Sequence, residues 1–567
     1  VNYAENLLAM SGLSDDHVAL VFWGEDQIKI KMSLGELKSH VLRLQKYLMK
    51  QGIGVGDRVV GFVSNRPETV VAMLAATSLG AVWSSCSMDF GIQGVLDRFN
   101  QIQPKILFAG DGYFYNGKWV SCLEKVEAIR SQINSLQKTI VFPYQGDQVS
   151  DKSFVSWFQA LDEGSRDFEP MIFKRVPFAS PLFIMYSSGT TGLPKCIVHS
   201  VGGTLIQHRK EHLLHCDVHP GNRLFYYTTC GWMMWNWLVS GLASGACLML
   251  YDGSPFYPNA NILWDYVDAE NIHILGVSAK YIQALEKSGA CPRKSHHLKN
   301  LNSILSTGSP LLEEGFEYVY RDIKTDVRLS SISGGTDIIS CFALGAPNLP
   351  VYKNELQCRG LGMAVKIFSE DGHEVQSQKG ELVCVKPFPS QPIGFWNDLN
   401  NEKYKAAYFG RFPNIWCHGD FAELTNHDGI IIYGRSDTVL NPGGVRIGTS
   451  EIYRVVESFQ EIAESMAIGQ SWKGDERVVL FVRLKPEQTF SVDLQAKIKS
   501  QIRSELSPRH VPAKIIAVAD IPRTISGKIS ELAVRNVVHG IAVKNKEALA
   551  NPDALALFVN LPELAED

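Results

Sequence analysis

The stretch YSSGTTGLPK spans residues 186–195 and continues PLFIMY (181–186), an uncharged run of strand character. It supplies four hydroxyls and two permissive backbone positions within six residues: Ser187, Ser188, Gly189, Thr190, Thr191 and Gly192. Because glycine allows positive φ and close backbone approach, such a loop can direct N–H groups and hydroxyls at an anion, and Lys195 adds a point charge. The residues therefore predict a polyphosphate cradle after a strand. A polar turn is the simpler alternative.

The spacing of the glycines separates this loop from the Walker A pattern, which places four residues between two glycines and then Lys and Ser or Thr at once. Here Gly189 and Gly192 are separated by two residues, and Lys195 comes three later. The full string closely resembles the phosphate-binding motif of the adenylate-forming superfamily: acyl-CoA synthetases, peptide-synthetase adenylation domains and luciferases. The resemblance implies an ATP-dependent acid–thiol ligase that uses ATP, Mg²⁺ and CoA.

Composition restricts the partners of this chain. Its 567 residues are 45% hydrophobic and 20% charged, and 55 basic against 59 acidic side chains leave a net charge of −4. A balance so close to neutral offers no global attraction to nucleic acid or anionic membranes, so we expect small-molecule substrates held by local arrangements. The eleven cysteines show no CxxC pair or His/Cys cluster. This pattern favours a reduced, cytosolic compartment without disulfides or a zinc site.

One segment mimics a membrane span, since no charged residue occurs from Phe225 to Tyr251. That length satisfies the usual test for a transmembrane helix. Trp232, Trp235 and Trp237 cluster near one end, however, and small residues follow at 240–245. We therefore predict a buried helix and strand instead. The chain opens VNYAENLL, and no secretory signal is visible there.

Helix and strand patterns alternate along most of the chain, which predicts an α/β fold with largely parallel sheets flanked by helices. Three strands end in loops of small and hydroxyl residues, namely PLFIMYSSG, LNSILSTGSP and VRLSSISGG. We expect these loops to meet on one side of a parallel sheet and to form a site there. The predicted domains are an N-terminal domain (1–436), which includes a small β subdomain at about 341–436, and a mobile α+β C-terminal domain (437–567).

Four further stretches match the superfamily pattern in order along the chain. The resemblance implies an adenine floor at Thr307, Gly308, Ser309 and Pro310, ribose contacts from Asp420 and Arg435, and phosphate contacts from Thr336 and Arg446. It also implies that Asp337 positions Mg²⁺. Most relatives have glutamate at that position, and the aspartate is one methylene shorter, so a bridging water becomes plausible there.

Lys528 in PRTISGKIS matches the lysine that, in this superfamily, binds the substrate carboxylate and the α-phosphate. A carboxylate that attacks a phosphate must overcome like-charge repulsion, so a positioned ammonium lowers the barrier. For the second step the resemblance implies that the C-terminal domain swings about Asp437 and exposes the adenylate to a thiol. Gly443 and Gly444 would let pantetheine pass, and Arg503 would meet a CoA phosphate.

The string GWMMWNW resembles the acyl pocket of short-chain acyl-CoA synthetases, with Trp232 as a wall and Met233 and Met234 beside it. Core packing is the alternative for these side chains. Acetate-activating relatives have a tryptophan where this chain has Gly334, so the pocket should admit acids longer than acetate. We expect Gly334→Trp to shift preference toward acetate. Acetoacetate fits this reading, although no residue in the sequence identifies the donor for its keto oxygen.

Two alternatives stay open. One is a synthetase for another short- or medium-chain acid such as butyrate. The other is a nucleotide-binding but inactive short form, because the resembled proteins carry a further N-terminal segment. The sequence does not indicate an oligomeric state.

Overall fold

The structure is a computed structural model that describes residues 1–9, 12–144, 153–165, 170–187, 193–440, 442, 447–473, 475–506, 508–524, 527–543 and 546–566. Its strands, numbered in chain order, are β1 (Val18–Gly24), β2 (Ile28–Ser33), β3 (Arg58–Phe62), β4 (Val82–Cys86), β5 (Ile106–Gly110), β6 (Gly112–Tyr115), β7 (Lys118–Ser121), β8 (Lys138–Phe142), β9 (Val155–Ser156), β10 (Pro181–Ser187), β11 (Lys195–Ser200), β12 (Arg223–Tyr226), β13 (Cys247–Asp252), β14 (Ile274–Ser278), β15 (Ser303–Thr307), β16 (Arg328–Ser331), β17 (Ser333–Gly335), β18 (Ser340–Leu344), β19 (Cys358–Arg359), β20 (Val365–Phe368), β21 (Lys379–Cys384), β22 (Gly394–Phe395), β23 (Trp416–Leu424), β24 (Ile430–Arg435), β25 (Ile462–Trp472), β26 (Asp475–Leu484) and β27 (Lys514–Ala517).

The helices, numbered in the same way, are α1 (Tyr3–Ala9), α2 (Leu34–Lys50), α3 (Pro67–Ser78), α4 (Ile92–Ile102), α5 (Leu123–Ser131), α6 (Trp157–Ser165), α7 (Val201–Lys210), α8 (Met233–Ser240), α9 (Ile262–Ala269), α10 (Ala279–Lys287), α11 (Pro292–Ser295), α12 (Glu313–Tyr318), α13 (Glu402–Phe409), α14 (Thr449–Val456), α15 (Val492–Glu505) and α16 (Glu531–Val538). Helix α7 continues into a π-helical turn at Glu211–His215.

Two large sheets form the N-terminal part and confirm the predicted α/β class. The first has seven strands in the order β16-β15-β14-β12-β13-β1-β2 and is parallel except at β2. The second has eight strands in the order β22-β11-β10-β4-β3-β5-β8-β9 and is parallel except at β11 and β22. One continuous core, to which α3 and α8 contribute, joins both sheets.

Local sequence explains two of these elements directly. Helix α2 starts where the Ser33 side chain accepts a hydrogen bond from the N–H of Glu36. The Glu36 side chain in turn accepts one from the backbone N–H of Ser33, which completes a capping box. Helix α3 has no polar face and is buried along nearly its whole length. A helix that is apolar all round is stable only between other elements, and α3 contributes to the core that joins the sheets.

The uncharged segment 225–251 forms short, buried elements, as the sequence predicts. It divides into the end of β12, helix α8, a 3₁₀ turn at Gly241–Ser244 and strand β13. Within the part of the chain that the structure describes, no helix has the length and apolar character needed to cross a bilayer. All eleven cysteines carry free thiols.

The remaining strands build smaller units. A four-stranded antiparallel sheet, β20-β21-β23-β24, and a three-stranded one, β17-β18-β19, complete the N-terminal part. Beyond it lie two separate hydrophobic cores, the first of which begins with Leu440. They are surrounded by the sheet β25-β26-β27 and by α14, α15 and α16. The alanine-rich tail contains short 3₁₀ turns at Pro552–Phe558 and Pro562–Leu564, and each begins with a proline, whose missing N–H is not needed in a first turn.

The three loop-bearing strands do not share one sheet, which differs from the expectation. β10 belongs to the eight-stranded sheet and β15 to the seven-stranded sheet. The stretch read as a third strand divides at Ile332 into β16, in the seven-stranded sheet, and β17, which starts a separate hairpin. The described ends of these strands, at Ser187, Thr307 and Ser331, therefore line one space between sheets.

Candidate active site

A cleft of about 1110 Å³ lies where both large sheets, the β subdomain and the C-terminal part meet. Most of the described residues that the sequence singled out line it: Ser187, Lys195, Trp232, Thr307, Gly308, Ser309, Pro310, Gly334, Thr336, Asp337, Asp420, Arg435, Asp437 and Lys528. They come from distant parts of the chain, so folding alone brings them together.

The stretch 307–310 forms a wall at the carboxyl end of β15. The Thr307 hydroxyl donates to the Ile332 carbonyl at 2.8 Å, which joins this wall to the next strand. Gly308 has φ +92°, a conformation that side chains rarely adopt, and the space beside it is limited by the Trp232 ring. Residues 307–310 thus line the cleft together with Trp232.

Asp337 is held by a hydroxyl and by nearby positive groups. The Tyr408 hydroxyl donates a hydrogen bond to Asp337 Oδ1. The Tyr408 ring is itself fixed by stacking on Trp416 with ring centroids 3.9 Å apart. Burial alone would raise the pKa of Asp337, but His418, the Tyr408 hydrogen bond and Arg435 outweigh burial and hold the pKa below its usual value. Asp337 is therefore an anion in the cleft.

Asp420 and Arg435 form an ion pair on neighbouring strands of the four-stranded sheet. Asp420 pairs with Arg435 in the register of β23 and β24, and Arg435 Nη1 donates to Asp420 Oδ1 at 3.0 Å. The same nitrogen donates to the His418 carbonyl at 3.1 Å. Asp420 is 6% exposed, and Oδ2 lies 3.7 Å from His418 Nε2. The carboxylate is thus aimed by a charged hydrogen bond.

His199 joins the strand after the phosphate loop to the hairpin that carries Thr336. Its Nε2–H donates to the Thr336 carbonyl at 2.9 Å. Burial lowers the pKa of His199 to about 3, so the ring is neutral and this nitrogen carries the proton. The contact positions Thr336 relative to β11. Sequence reasoning missed His199, Tyr408 and His418, although His418 stands two residues before Asp420 in WCHGD.

Lys528 reaches this site from the C-terminal part. A tight turn presents it: Gly527 has φ +82°, and Thr524 exchanges backbone hydrogen bonds with Gly527 and Lys528. The residue stays accessible to solvent at the cleft, yet the surrounding walls desolvate the ammonium group and lower its pKa. Asp420 and Asp337 oppose that shift, which places Lys528 in their electrostatic range. Lys528 and the carboxylates of Asp337 and Asp420 therefore face a common space.

Contacts between α10 and the C-terminal part hold this arrangement. Gln283 Nε2 donates to Glu457 Oε2 at 2.6 Å, and Lys287 Nζ donates to the Ala463 carbonyl at 2.7 Å. Nearby, Arg454 pairs with Glu313 at 3.1 Å. These contacts are polar, as is typical of an interface between domains that can move.

The predicted acid pocket has a wall built around Gly334. This glycine pairs with Cys341 in the β17–β18 hairpin, and a Cβ on it would lie 2.0 Å from the Ser340 carbonyl oxygen. The glycine is therefore required by the close approach of two strands, besides any effect on pocket size. Trp232 lines the cleft, whereas Met233 and Met234 are buried in the core and do not line it.

A buried carboxylate supports this wall from behind. Glu211 Oε1 accepts hydrogen bonds from Ser340 Oγ at 2.5 Å and Gln207 Nε2 at 3.0 Å. Glu211 Oε2 accepts from Trp237 Nε1 at 2.9 Å. Burial would raise the pKa of Glu211, but Lys210 and these hydrogen bonds outweigh it and lower the pKa. Both oxygens of Glu211 thus have partners and tie the hairpin to the helix behind it, although Gln207 Oε1 in the same network has no hydrogen-bond partner among the described residues.

We predict that Gly334→Ala lowers the free energy of unfolding by about 1–3 kcal/mol, the usual cost of overpacking. Gly335→Ala is the matched control, because a Cβ there has no neighbour closer than 3.6 Å. Urea unfolding of both variants measures the difference. Equal stability of the two would show that the hairpin relaxes freely, and Gly334→Trp could then test acetate preference without a folding penalty.

Several predicted residues lie elsewhere. Arg503 is exposed on α15 and does not line the cleft. Eight others fall outside the described residues: Ser188, Gly189, Thr190, Thr191, Gly192, Gly443, Gly444 and Arg446. Among the described residues, no group of three or more His, Cys, Asp or Glu side chains could hold a metal ion by itself.

Comparison with known families agrees with this fold and cleft, which define an AMP-binding enzyme. The family model "AMP-binding enzyme" matches residues 11–390, and "AMP-binding enzyme C-terminal domain" matches residues 451–528. An acetoacetyl-coenzyme A synthetase of Rhizobium meliloti (strain 1021) is 57% identical over 100% of this chain and 86% of its own length. The acetoacetyl-CoA synthetase of Danio rerio is 50% identical over 100% of this chain and 85% of its own.

A solved structure agrees as well. Acetoacetyl-CoA synthetase from Streptomyces lividans superposes with a TM-score of 0.93 at 40% identity and covers 98% of this chain and 86% of its own. The chain belongs to the acetoacetyl-CoA synthetase family of AMP-binding enzymes.

Proposed function

We propose that this chain converts acetoacetate, ATP and CoA to acetoacetyl-CoA, AMP and pyrophosphate through acetoacetyl-adenylate. The observation that carries the proposal is that Lys528 of the C-terminal part enters the cleft that also contains Asp337 and Asp420. The names of the full-length relatives support acetoacetate as the acid. The reaction would take place in the cytosol, in agreement with the free thiols of the chain.

In the first step an oxygen of the acid carboxylate forms a bond to the α-phosphorus of ATP. The anhydride bond to the β-phosphate breaks, and its electron pair leaves with pyrophosphate. Lys528 would hold the incoming carboxylate against the α-phosphate and offset their repulsion, while Thr336 donates to an α-phosphate oxygen. The loop from Ser187 to Lys195 would hold the β- and γ-phosphates.

Asp420 would accept hydrogen bonds from the ribose hydroxyls, with Arg435 fixing its orientation. Asp337 is the residue that would hold Mg²⁺, because it is an anion in the cleft and Mg²⁺ typically takes one or two carboxylates together with phosphate oxygens. The absence of a protein-only metal cage among the described residues fits that mode of binding. The ion supplies neutralisation of phosphate charge.

The second step requires a path for the thiol of CoA to the adenylate. We propose that the residues from Asp437 onward rotate as a unit, which withdraws Lys528. Asp437 follows β24, and its carbonyl accepts from Arg535 Nη1 at 3.1 Å, so it touches both parts. Gly443, Gly444 and Arg446 stay predicted contacts for pantetheine and phosphate, and Arg503 stays a predicted contact for CoA.

The pH dependence of adenylation should reflect Lys528. Desolvation lowers its pKa from the ordinary value of 10.5, and only the ammonium form can pair with the carboxylate. We therefore expect adenylation to fall as pH rises through the lowered pKa, at a pH below 10.5. The rate of thioester formation from supplied acyl-adenylate should not fall over this pH range. Pyrophosphate exchange across pH measures the first step, and an alkaline limb common to both steps would contradict the assignment.

A panel of acids tests the substrate. ATP–pyrophosphate exchange should be faster with acetoacetate than with acetate or butyrate at equal subsaturating concentration. Equal or faster exchange with butyrate would exclude acetoacetate as the preferred acid and favour a synthetase for another short- or medium-chain acid. Nucleotide binding without exchange under any acid would instead identify an inactive form.

A further inference from the structure

Arg98 is a buried cation on the wall of the cleft without a described carboxylate partner. It lies on α4 and is 5% exposed. Its Nη1 donates to the Gly94 carbonyl at 2.6 Å, and the described residues offer it no ion pair within 4 Å and no further hydrogen bond. A guanidinium group has five N–H donors, so most of them are unused.

Two aromatic rings hold the guanidinium group without neutralising it. Its Cζ lies 4.7 Å from the ring centroid of Phe90 and 5.7 Å from that of Tyr186. Such contacts stabilise a cation modestly, whereas burial of an unpaired charge is costly unless an anion is supplied. Because Arg98 lines the cleft, a bound ligand can supply that anion.

The position of α4 indicates which part of a ligand lies there. Tyr186, next to Arg98, directly precedes Ser187, where the phosphate loop begins. At the other described end of the loop, Gln101 Nε2 of α4 donates to the Pro194 carbonyl at 3.0 Å. The helix thus flanks both described ends of the predicted cradle. Arg98 lines the same cleft as Ser187 and Lys195.

Glu547 of the C-terminal part is one alternative partner. Its Oε2 and Arg98 Nη1 lie 3.8 and 3.7 Å from the place that a Cβ on Gly94 would take. The two groups form no ion pair, and Glu547 is exposed to solvent. An exposed carboxylate of this kind is screened and contributes little neutralisation.

We propose that Arg98 binds the β- and γ-phosphate oxygens of ATP and, after adenylation, the leaving pyrophosphate. This inference rests on the proposed ATP-dependent function and assigns a second cation, beside Lys195, to the polyphosphate. Pyrophosphate acquires negative charge when the anhydride bond breaks. That charge would form next to Arg98, a cation that is already buried away from water.

Binding measurements can test the proposal without any acid substrate. We expect Arg98→Met to raise the Kd of pyrophosphate and of ATP about 10- to 100-fold by calorimetry, and to leave the Kd of AMP within about twofold, since AMP lacks both phosphates. Arg98→Lys keeps a charge and should recover most of the loss. Gln93→Met, on the exposed side of the same helix, is the matched control, and Glu547→Gln tests the alternative partner.

The outcomes separate clearly. Selective loss of pyrophosphate and ATP affinity, recovered by lysine, supports the proposal. Unchanged pyrophosphate affinity overturns it, as does a rise confined to the KM for CoA in the thioester step from supplied adenylate. Equal weakening of AMP and pyrophosphate with a lowered Tm, or the same change in Glu547→Gln, would assign Arg98 a structural role and also overturns it. Failure of acetoacetate as substrate leaves these measurements valid.

Discussion

Lys528→Ala is expected to reduce adenylation by at least about 10²- to 10³-fold, the range seen when one charge-stabilising group is removed from an active site. The reason is that Lys528, a cation of the C-terminal part, lines the cleft with Asp337 and Asp420. Thioester formation from supplied acetoacetyl-adenylate should keep most of its rate, because the proposed rotation withdraws this side chain before CoA attacks. Pyrophosphate exchange and single-turnover thioester formation measure the two steps.

Lys497→Ala is a suitable control for that experiment. Lys497 also lies in the C-terminal part, on α15, but it is exposed and pairs only with Asp493 one helical turn away. Its removal should change neither step. Equal loss of both steps in Lys528→Ala would mean that the lysine stays in place throughout the reaction, and the proposed rotation would then be wrong for this chain.

Asp420→Ala is expected to raise the KM for ATP about 10²-fold or more. A charged hydrogen bond contributes about 1.5–3 kcal/mol. The substitution removes two predicted ribose contacts and the Arg435 ion pair at 3.0 Å, which leaves Arg435 its longer contact with Asp437 at 3.7 Å. The measurement compares ATP with 2′-deoxy-ATP in pyrophosphate exchange. The unmodified protein should prefer ATP, and the variant should have lost most of that preference.

The comparison of nucleotides distinguishes ribose binding from general damage. A variant that is merely destabilised would lose rate with both nucleotides and keep their ratio. A preserved preference for ATP in Asp420→Ala would therefore contradict the ribose assignment. Asp428→Ala provides the control, since Asp428 lies in the turn after β23 and pairs with Arg359 at 3.4 Å.

Sequence patterns were sufficient where chemistry depends on neighbouring residues. The apolar run in 225–251 was correctly assigned to buried elements because its tryptophans and small residues are atypical of a lipid-facing helix. The motifs at 307–310, 336–337 and 420 are compact strings, and the structure places all three in one cleft. Their chemical roles stay predictions.

Residues that act through distant partners left no readable pattern. Tyr408 stands 71 positions after Asp337, so the hydrogen bond between them exists only in the folded chain. Arg98 looks like any helix arginine until its burial and its missing carboxylate are known. From the sequence, Gly334 could be interpreted only as the absence of a side chain in the pocket. The close contact with the neighbouring strand at Ser340, which also requires glycine, exists only in the folded hairpin.

The order of the loops along the chain, the helix and strand pattern and the acidic and basic residues of the motifs were determined by the sequence alone, because each depends on spacing or on a short string. Tertiary structure decided that the strand ends at Ser187, Thr307 and Ser331 meet in one cleft, that Lys528 lines it, and that Arg98 is a buried charge on its wall. Burial and distance set the strength of an electrostatic interaction, and both are properties of the packed chain.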